Sequence, residues 1–266
     1  MTLVAITRSP GPELARCELT HLERQPIDIA RARAQHRAYQ EALRGAGIRL
    51  AELPADPALP DGVFVEDTAV VLDELAAIAA PAPPSRRQEW PAIADALRPF
   101  RPLVQLPAGA YLEGGDVVRV GRTLYVGQGG RTREPGLRAL EEVVRPHGYA
   151  VVPVRLDGCL HLKSACSALD GETLLVNRAW LDAGVLAGLR LVDVPAQEPG
   201  GANVLPLPTA TLVSTACPRT ADLLRGLGHP AVALDVSELH KAEAGLTCMS
   251  LVFSDETKPA PGQARR

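Results

Sequence analysis

One cysteine, one histidine and one glutamate have the residue types of a nucleophilic active site. Cys248 lies in GLTCMSLVF near the C-terminus, His161 lies in LHLKSACSAL, and Glu113 lies in LEGGDVV. A cysteine thiolate is a good nucleophile, and a histidine can activate it or protonate a leaving group. A carboxylate can orient that histidine. Each residue also has a structural interpretation, because free cysteines are often buried and inert and a histidine in an apolar run can belong to the core.

Further carboxylates exceed what such a triad needs. Asp61, Glu66 and Asp67 lie in DGVFVEDTAVV, and Asp116 follows Glu113 by three residues. A guanidinium group carries several N–H donors in a rigid planar fork and prefers paired carboxylates. The additional carboxylates therefore favour a guanidine-type substrate, although these segments could also be solvated turns.

The spacing of these polar residues is nearly constant. Asp67 and Glu113 are 46 residues apart, and steps of 48, 42 and 45 residues lead on to His161, Asn203 and Cys248. If each step is one structural repeat, the side chains have equal phase and lie at a common distance from a central axis. They would then converge on one cavity.

A weak internal repeat supplies elements that could position these residues. Each copy contains an apolar strand, a loop, an amphipathic helix, a glycine and a second strand, as apolar spacing and helix-ending glycines predict. The clearest copies are 123–154 and 210–236, 172–194 is a shortened copy, and two more cover the N-terminus and 75–106. Five strand–helix–strand modules favour a closed radial arrangement, because repeats bury their faces against neighbours. An ordinary doubly wound α/β sheet also fits this alternation.

The bulk composition excludes several classes of protein. The 266 residues have a net charge of −3 and only 3% aromatic residues, which argues against nucleic-acid binding. Long apolar runs are missing, so a membrane span is not expected. Five widely spaced cysteines without a CxxC pair predict a reduced cytoplasmic protein without structural zinc. The polar end, 255–266, is predicted to be a disordered tail after a single domain at 1–254.

The motifs FVED, LEGGD, LHLK and LTCMSL, in this order, resemble those of the dimethylarginine dimethylaminohydrolases. These enzymes belong to the guanidino-group-modifying superfamily, whose pentein fold is a five-bladed α/β propeller around a central active-site cavity. The resemblance extends from Leu19 to Phe253. The segments PSRRQE at 84–89 and GGRT at 129–132 favour this branch, and the length leaves no room for the extra helical domain usual in arginine deiminases.

The resemblance implies a role for each matching residue. Cys248 is similar to the nucleophile and His161 to the general acid/base, with Glu113 as the partner of that histidine. The remaining matches are predicted to bind substrate, and they are Asp61, Glu66 and Asp67 around the guanidinium, Arg86 and Arg131 on the α-carboxylate, the backbone carbonyls of Leu19 in a flexible lid and of Ala242 on the α-ammonium, and Ser250 beside the site.

Two segments depart from the family pattern. IAAPAP at 78–83 replaces a frequent Thr-Arg-Pro-Gly turn, and Glu243 and Ala244 replace a frequent Asp and Gly. The second departure could change the fit around the α-amino group of a substrate.

The resemblance implies hydrolysis of an Nω-methylated L-arginine to L-citrulline and methylamine or dimethylamine, through a covalent thiouronium intermediate on Cys248. It implies no metal and no cofactor, and it leaves a homodimer open. The alternatives are an arginine or agmatine deiminase, a citrulline hydrolase, an amidinotransferase, or a non-catalytic pentein-fold binding protein.

Overall fold

The computed structural model describes residues 2–256. The predicted tail at 255–266 lies outside the described residues except for its first two positions. Within the described range, the chain forms six α-helices, which are α1 (Ile29–Gly45), α2 (Trp90–Leu97), α3 (Glu134–Val144), α4 (Leu162–Ala165), α5 (Pro218–Gly226) and α6 (Ser237–His240). The strands of this range are β1 (Leu3–Arg8), β2 (Arg49–Leu53), β3 (Ala69–Val71), β4 (Ala76–Ile78), β5 (Leu103–Gln105), β6 (Val117–Val120), β7 (Thr123–Gln128), β8 (Ala150–Arg155), β9 (Cys166–Ala168), β10 (Thr173–Val176), β11 (Arg190–Asp193), β12 (Leu205–Pro206), β13 (Thr211–Ser214), β14 (Ala231–Leu234) and β15 (Leu251–Ser254).

These strands form five sheets of three strands with one shared topology. The middle strand of each sheet pairs in parallel with an outer strand and antiparallel with a third, inner strand. The sheet orders, from inner to outer strand, are β15-β1-β2, β3-β4-β5, β6-β7-β8, β9-β10-β11 and β12-β13-β14. The first sheet joins both ends of the chain, since Leu3 pairs with Ser254 and Ile6 with Leu251. This pairing closes the ring.

The predicted repeat matches the middle strand, crossover and outer strand of each sheet. In the repeat at 123–154, Leu137, Leu140 and Val144 of α3 are buried at spacings of three and four, as the amphipathic pattern predicts. The chain leaves this helix through Gly148, whose φ of 78° lies in the left-handed region that glycine adopts without strain. The shortened copy differs, because a single 3-10 turn at Ala183–Leu186 replaces its helix.

The inner strands surround one cavity of about 500 Å³. Each of the five contributes to its wall, through residues that include Ala69, Val117, Ser167, Leu205 and Leu251. A doubly wound sheet could not bring five edge strands from five sheets together in this way. The closed five-bladed α/β propeller is therefore confirmed.

The inner strands were not predicted as elements, and each follows a single helical turn. These turns are Val65–Thr68, Gly114–Asp116, α4, Pro199–Ala202 and Thr247–Met249. The polar residues of equal phase lie in these turns or immediately beside them. The near-constant spacing thus reflects one turn and one inner strand in every blade.

The tight packing between two of these turns predicts a stability effect. A Cβ on Gly114 would lie 2.1 Å from the carbonyl oxygen of Glu66 and 2.7 Å from that of Ala69. We expect Gly114→Ala to lower the free energy of unfolding by about 1–3 kcal/mol, because backbone must move to admit the methyl group. Urea denaturation measures this change. Gly171→Ala is the control, since a Cβ there meets nothing within 4 Å, and equal losses for both variants would contradict close packing of the turns.

Candidate active site

The turns before the inner strands bring the predicted catalytic residues together at the centre of the ring, which is called the hub below. Asp67 belongs to the turn Val65–Thr68, Glu113 directly precedes Gly114–Asp116, and His161 is the residue before α4. One side-chain atom from each of these three residues lies within 4.8 Å of the others. Cys248 belongs to the turn Thr247–Met249, which packs against the turn of Asp67. Residues from four blades therefore meet at one end of the inner strands.

His161 lies between two carboxylates and is 3% exposed. Its Nε2 is 2.7 Å from Oε2 of Glu113, while its Nδ1 is 3.8 Å from Oδ1 of Asp67, beyond hydrogen-bond distance. Burial disfavours the charged ring, but Asp67, Asp116 and Glu113 outweigh burial and raise the pKa of His161 to about 9. The imidazole is therefore cationic at neutral pH, with Nδ1 as the nitrogen that Glu113 does not engage.

Cys248 is half-buried, and its Sγ accepts a hydrogen bond from the backbone N–H of Gly245 at 3.3 Å. Burial, together with the charges of Glu66 and Asp67, raises the pKa of the Cys248 thiol to about 12. The resting residue is therefore a neutral thiol. Cys166, the cysteine five residues after His161, is fully buried in β9, where burial also raises its pKa to about 12.

Arg86 is buried among the carboxylates of the hub. Its guanidinium makes paired bonds of 2.9 and 2.8 Å to Glu89, donates to Oδ2 of Asp67 at 2.8 Å, and lies 3.7 Å from Oε2 of Glu113. Burial opposes its charge, yet the three carboxylates hold the pKa of Arg86 well above its usual value. Sequence reasoning missed Glu89, whose three-residue spacing from Arg86 was the one available signal.

Arg131 makes fewer and longer contacts with protein groups than Arg86 does. It lies 3.5 Å from Oε1 of Glu113 and donates to the hydroxyl of Thr20 at 3.1 Å. Its contact with Thr20 joins the hub to residues 18–22. This segment contains Leu19, which the resemblance assigns to a lid, and it is called the lid below. Arg131 is thus positioned where the lid meets the buried charges.

Asp61 and Glu243 hold this lid segment by accepting hydrogen bonds from its backbone. Asp61 accepts the N–H of Glu18 at 3.1 and 3.2 Å, and Glu243 accepts the N–H groups of Thr20 at 2.9 Å and Leu22 at 2.6 Å. Glu243 has a φ of 59°, a strained conformation for a residue with a Cβ. The carboxylate of Glu243 therefore lies against the backbone of the lid.

Glu66 differs from the other carboxylates in its partners. One oxygen accepts from Nζ of Lys163 and the other from Oγ1 of Thr247, both at 2.7 Å. Burial raises the pKa of Glu66, and Lys163 and Thr247 oppose that shift. Through these contacts Glu66 stabilises the structure around Cys248. Sequence reasoning identified neither Lys163 nor Thr247 as a partner of a site residue.

Ala242 and Ser250 lie on either side of the turn Thr247–Met249. Ala242 is buried, and the hydroxyl of Ser250 is 2.6 Å from that of Tyr39, a buried residue of α1. A second cavity, of about 470 Å³, opens beside this turn and is lined by the lid residues His21 and Leu22 and by Glu243–Leu246. The segment 243–250 therefore contributes to the walls of both cavities, since Thr247 and Ser250 line the one between the inner strands.

The hub also contains the residue types of a metal site. Asp67, Glu113 and His161 could each offer one ligand atom to a metal ion, but Arg86 already supplies a cation to both carboxylates. Among residues 2–256, helices with the length and apolar character of a membrane span are lacking.

Comparison with known proteins agrees with this geometry. The family described as N,N dimethylarginine dimethylhydrolase, eukaryotic, matches residues 19–166. An N(G),N(G)-dimethylarginine dimethylaminohydrolase of Streptomyces coelicolor is 40% identical over 93% of this chain and 95% of that protein. The corresponding protein of Pseudomonas aeruginosa is 31% identical over 93% and 98%.

Solved structures show the same relationship. A cysteine-to-serine mutant of the Pseudomonas aeruginosa enzyme, complexed with citrulline, superimposes with a TM-score of 0.90 at 30% identity and covers 95% of this chain and 100% of that one. The N-terminal domain of ArgZ, an arginine dihydrolase from cyanobacteria, shares the fold with a TM-score of 0.86 at 17% identity and covers 97% and 100%. The motifs, the five-bladed ring and these similarities together show that the chain belongs to the dimethylarginine dimethylaminohydrolase family.

Proposed function

We propose that this protein hydrolyses Nω-methylated L-arginine to L-citrulline and methylamine or dimethylamine. The observation that carries the proposal is the packing of the Cys248 turn against the turn of Asp67, because one carboxylate oxygen of Asp67 lies within 4.8 Å of side-chain atoms of Glu113 and His161. The names of the Streptomyces and Pseudomonas relatives support the reaction. The citrulline bound to the Pseudomonas relative supports a small-molecule substrate of this kind.

The carboxylates supply a site for the substrate guanidinium. Asp67 and Glu113 already flank the guanidinium of Arg86, so their oxygens suit a planar cation with several donors. Burial opposes their charge, but His161 and Arg86 hold the pKa values of both carboxyls below their usual range. Both are therefore ionised when a substrate arrives. Asp61 and Glu66, as the resemblance implies, complete the acidic surroundings.

The first half of the reaction forms the covalent intermediate. The substrate cation lowers the pKa of the Cys248 thiol, which releases its proton to solvent as Sγ bonds to the central guanidinium carbon. His161 donates its Nδ1 proton to the methylated nitrogen, the C–N bond breaks, and the amine leaves. A thiouronium remains on Cys248, and His161 is now neutral.

The second half releases citrulline. Neutral His161 takes a proton from a water molecule, whose oxygen bonds to the same carbon. The C–S bond then breaks, Cys248 leaves as a thiolate and regains a proton, and the carbonyl of citrulline forms. General acid–base assistance of this type is typically worth about 10²- to 10⁴-fold. Glu113 keeps the ring oriented in both steps.

The amino-acid end of the substrate lies toward the lid. Arg131, with Thr20 as its lid partner, supplies a fork for the α-carboxylate. The guanidinium of Arg86 is already bound by Glu89 and Asp67. Arg86 therefore contributes mainly positive charge to the site, and a direct bond to the α-carboxylate falls to Arg131. The carbonyls of Leu19 and Ala242 are the proposed acceptors for the α-ammonium.

The protein is further predicted to form a single catalytic domain at 1–254, to be located in the cytoplasm and to need neither a metal nor a cofactor. The proposed reaction leaves a homodimer open.

The nucleophile assignment predicts which thiol is essential. Cys248→Ser should abolish turnover and keep the fold, because a hydroxyl is a far poorer nucleophile at neutral pH. Cys166→Ser is the matched control. Incubation with methylated arginines, arginine and agmatine, followed by mass spectrometry of products and adduct-bearing peptides, measures both. An adduct on Cys166, with Cys248→Ser still active, would reject the assignment.

The raised pKa of Cys248 predicts its pH-dependent reactivity. In the unliganded protein, the rate of Cys248 alkylation by iodoacetamide should rise about tenfold per pH unit between pH 7 and 10, because the thiolate is the reactive form and its fraction stays small below its pKa. Peptide mass spectrometry follows Cys248 alone. A plateau at or below pH 9, the value for an ordinary thiol, would show that the carboxylates do not raise this pKa.

The position of Arg131 predicts substrate selectivity. Arg131→Ala should raise KM strongly for methylated L-arginine and leave any weak turnover of agmatine or simple alkylguanidines nearly unchanged, because those lack a carboxylate. Steady-state kinetics on both substrate types measure the difference. The control is Arg133→Ala, since Arg133 is exposed and lies over the ring of Tyr111. Equal losses on both substrate types would mean that Arg131 is structural, and faster turnover of agmatine by the wild type would indicate another branch of the superfamily.

A further inference from the structure

Asn203 has the phase of the catalytic residues, yet the reaction above gives it no part. It directly follows the turn Pro199–Ala202 and precedes β12, the inner strand of its blade. We infer that Asn203 is a positioning residue that fixes the Cys248 turn relative to the His161 turn. This inference rests on the proposed role of Cys248 as the nucleophile.

The side-chain amide of Asn203 bonds to both turns. Its Oδ1 accepts the backbone N–H groups of Leu246 at 2.7 Å and Thr247 at 3.3 Å, the two residues before Cys248. Its Nδ2 donates to the carbonyl of Lys163 at 2.8 Å and to Oγ1 of Thr247 at 3.1 Å. Only one orientation of the amide fits, because two N–H donors face Oδ1 and a carbonyl faces Nδ2.

The contact with Gly245 extends this control to the sulfur atom. A Cβ on Gly245 would lie 2.2 Å from Oδ1 of Asn203, so the amide packs directly on this glycine. The N–H of Gly245 is the donor to Sγ of Cys248 at 3.3 Å. Asn203 therefore sets the position of the group that stabilises negative charge on the sulfur.

The contact with Lys163 reaches the other catalytic group. Lys163 lies in α4, two residues after His161, so a bond to its carbonyl ties Asn203 to the turn that carries the general acid. Thr247 and Lys163 also share Glu66 as a partner. One amide thus links two turns from different blades, and its loss would let them shift relative to each other.

A displacement of this kind acts on the chemical step more than on binding. Productive attack needs Sγ and the general acid in register with the guanidinium carbon, and a shift of about 1 Å can cost about 10²-fold in rate. Of the groups that are proposed to hold the substrate, Arg131 and Asp67 have no bond to Asn203 in this network, and Glu66 is connected to it only through Lys163 and Thr247. The expected signature is therefore a lower kcat with little change in KM.

Asn177 provides a matched control, because it is the other asparagine of the sequence and makes the same two types of bond. Its Oδ1 accepts the N–H of Ala179 at 3.0 Å, and its Nδ2 donates to the carbonyl of Pro199 at 3.0 Å. It is more buried than Asn203. A purely structural loss should therefore be at least as large at Asn177.

The experiment compares Asn→Ala and Asn→Asp at both positions in the full-length protein. Aspartate keeps the shape and the acceptor of asparagine but turns the donor facing a carbonyl into an acceptor, so Asn203→Asp remains informative if Asn203→Ala does not fold. Each variant is measured for melting temperature, for kcat and KM on methylated L-arginine, and for the pH profile of Cys248 alkylation by iodoacetamide.

We expect both Asn203 variants to lose about 10²-fold in kcat with KM nearly unchanged. The alkylation profile of Asn203→Ala, which adds no charge, should shift to higher pH, because the N–H of Gly245 no longer stabilises the thiolate. The Asn177 variants should lose melting temperature alone. A folded Asn203 variant with wild-type kcat and an unshifted profile would overturn the inference. If the wild type does not turn over methylated arginine, the proposed function fails, and the alkylation profile still tests the positioning role.

Discussion

The structure of the hub depends on how a buried group of opposite charges is balanced. Asp67, Glu89 and Glu113 lie around Arg86 and His161, and all five side chains are buried. Charges removed from water are costly unless they are paired and hydrogen-bonded, and removal of one partner leaves another unpaired. Because the members come from three different blades, their mutual pairing also fixes the relative positions of those blades.

This balance can adjust when an additional cation enters the hub. Burial raises the pKa of Glu89 to about 7 and that of Asp116 to about 6, so both carboxyls titrate near neutrality. A substrate guanidinium nearby would favour their ionised forms and so recruit negative charge when it is needed. The hub can thus remain close to electrically balanced in both the unliganded and the liganded protein.

The sequence predicted the middle and outer strands, the helices α1, α2, α3 and α5, and the convergence of the polar residues. It did so because five polar residues lie in, or immediately beside, the short helical turn of successive blades, and they are Asp67, Glu113, His161, Asn203 and Cys248. The inner strands escaped prediction, since strands of two to four residues, such as β12, carry too little periodicity to detect. The partners of the site residues also escaped, because contacts such as Lys163 with Glu66 join residues 97 positions apart and depend on side-chain direction. The lid contact of Glu243 is similar, since the sequence marked the substitution but not the backbone groups that the carboxylate binds.

The neutral thiol has a consequence for the proposed reaction. Glu66 and Asp67 disfavour a thiolate at Cys248 as long as the site holds no additional cation. A guanidinium substrate brings the charge that offsets them, so the nucleophile is activated mainly where its target is already bound. Citrulline carries a neutral ureido group in place of the guanidinium, and the pKa of the thiol therefore returns to its raised value once the product forms. The same carboxylates that bind the substrate thus suppress attack on the product, and they protect an accessible cysteine from other electrophiles between turnovers.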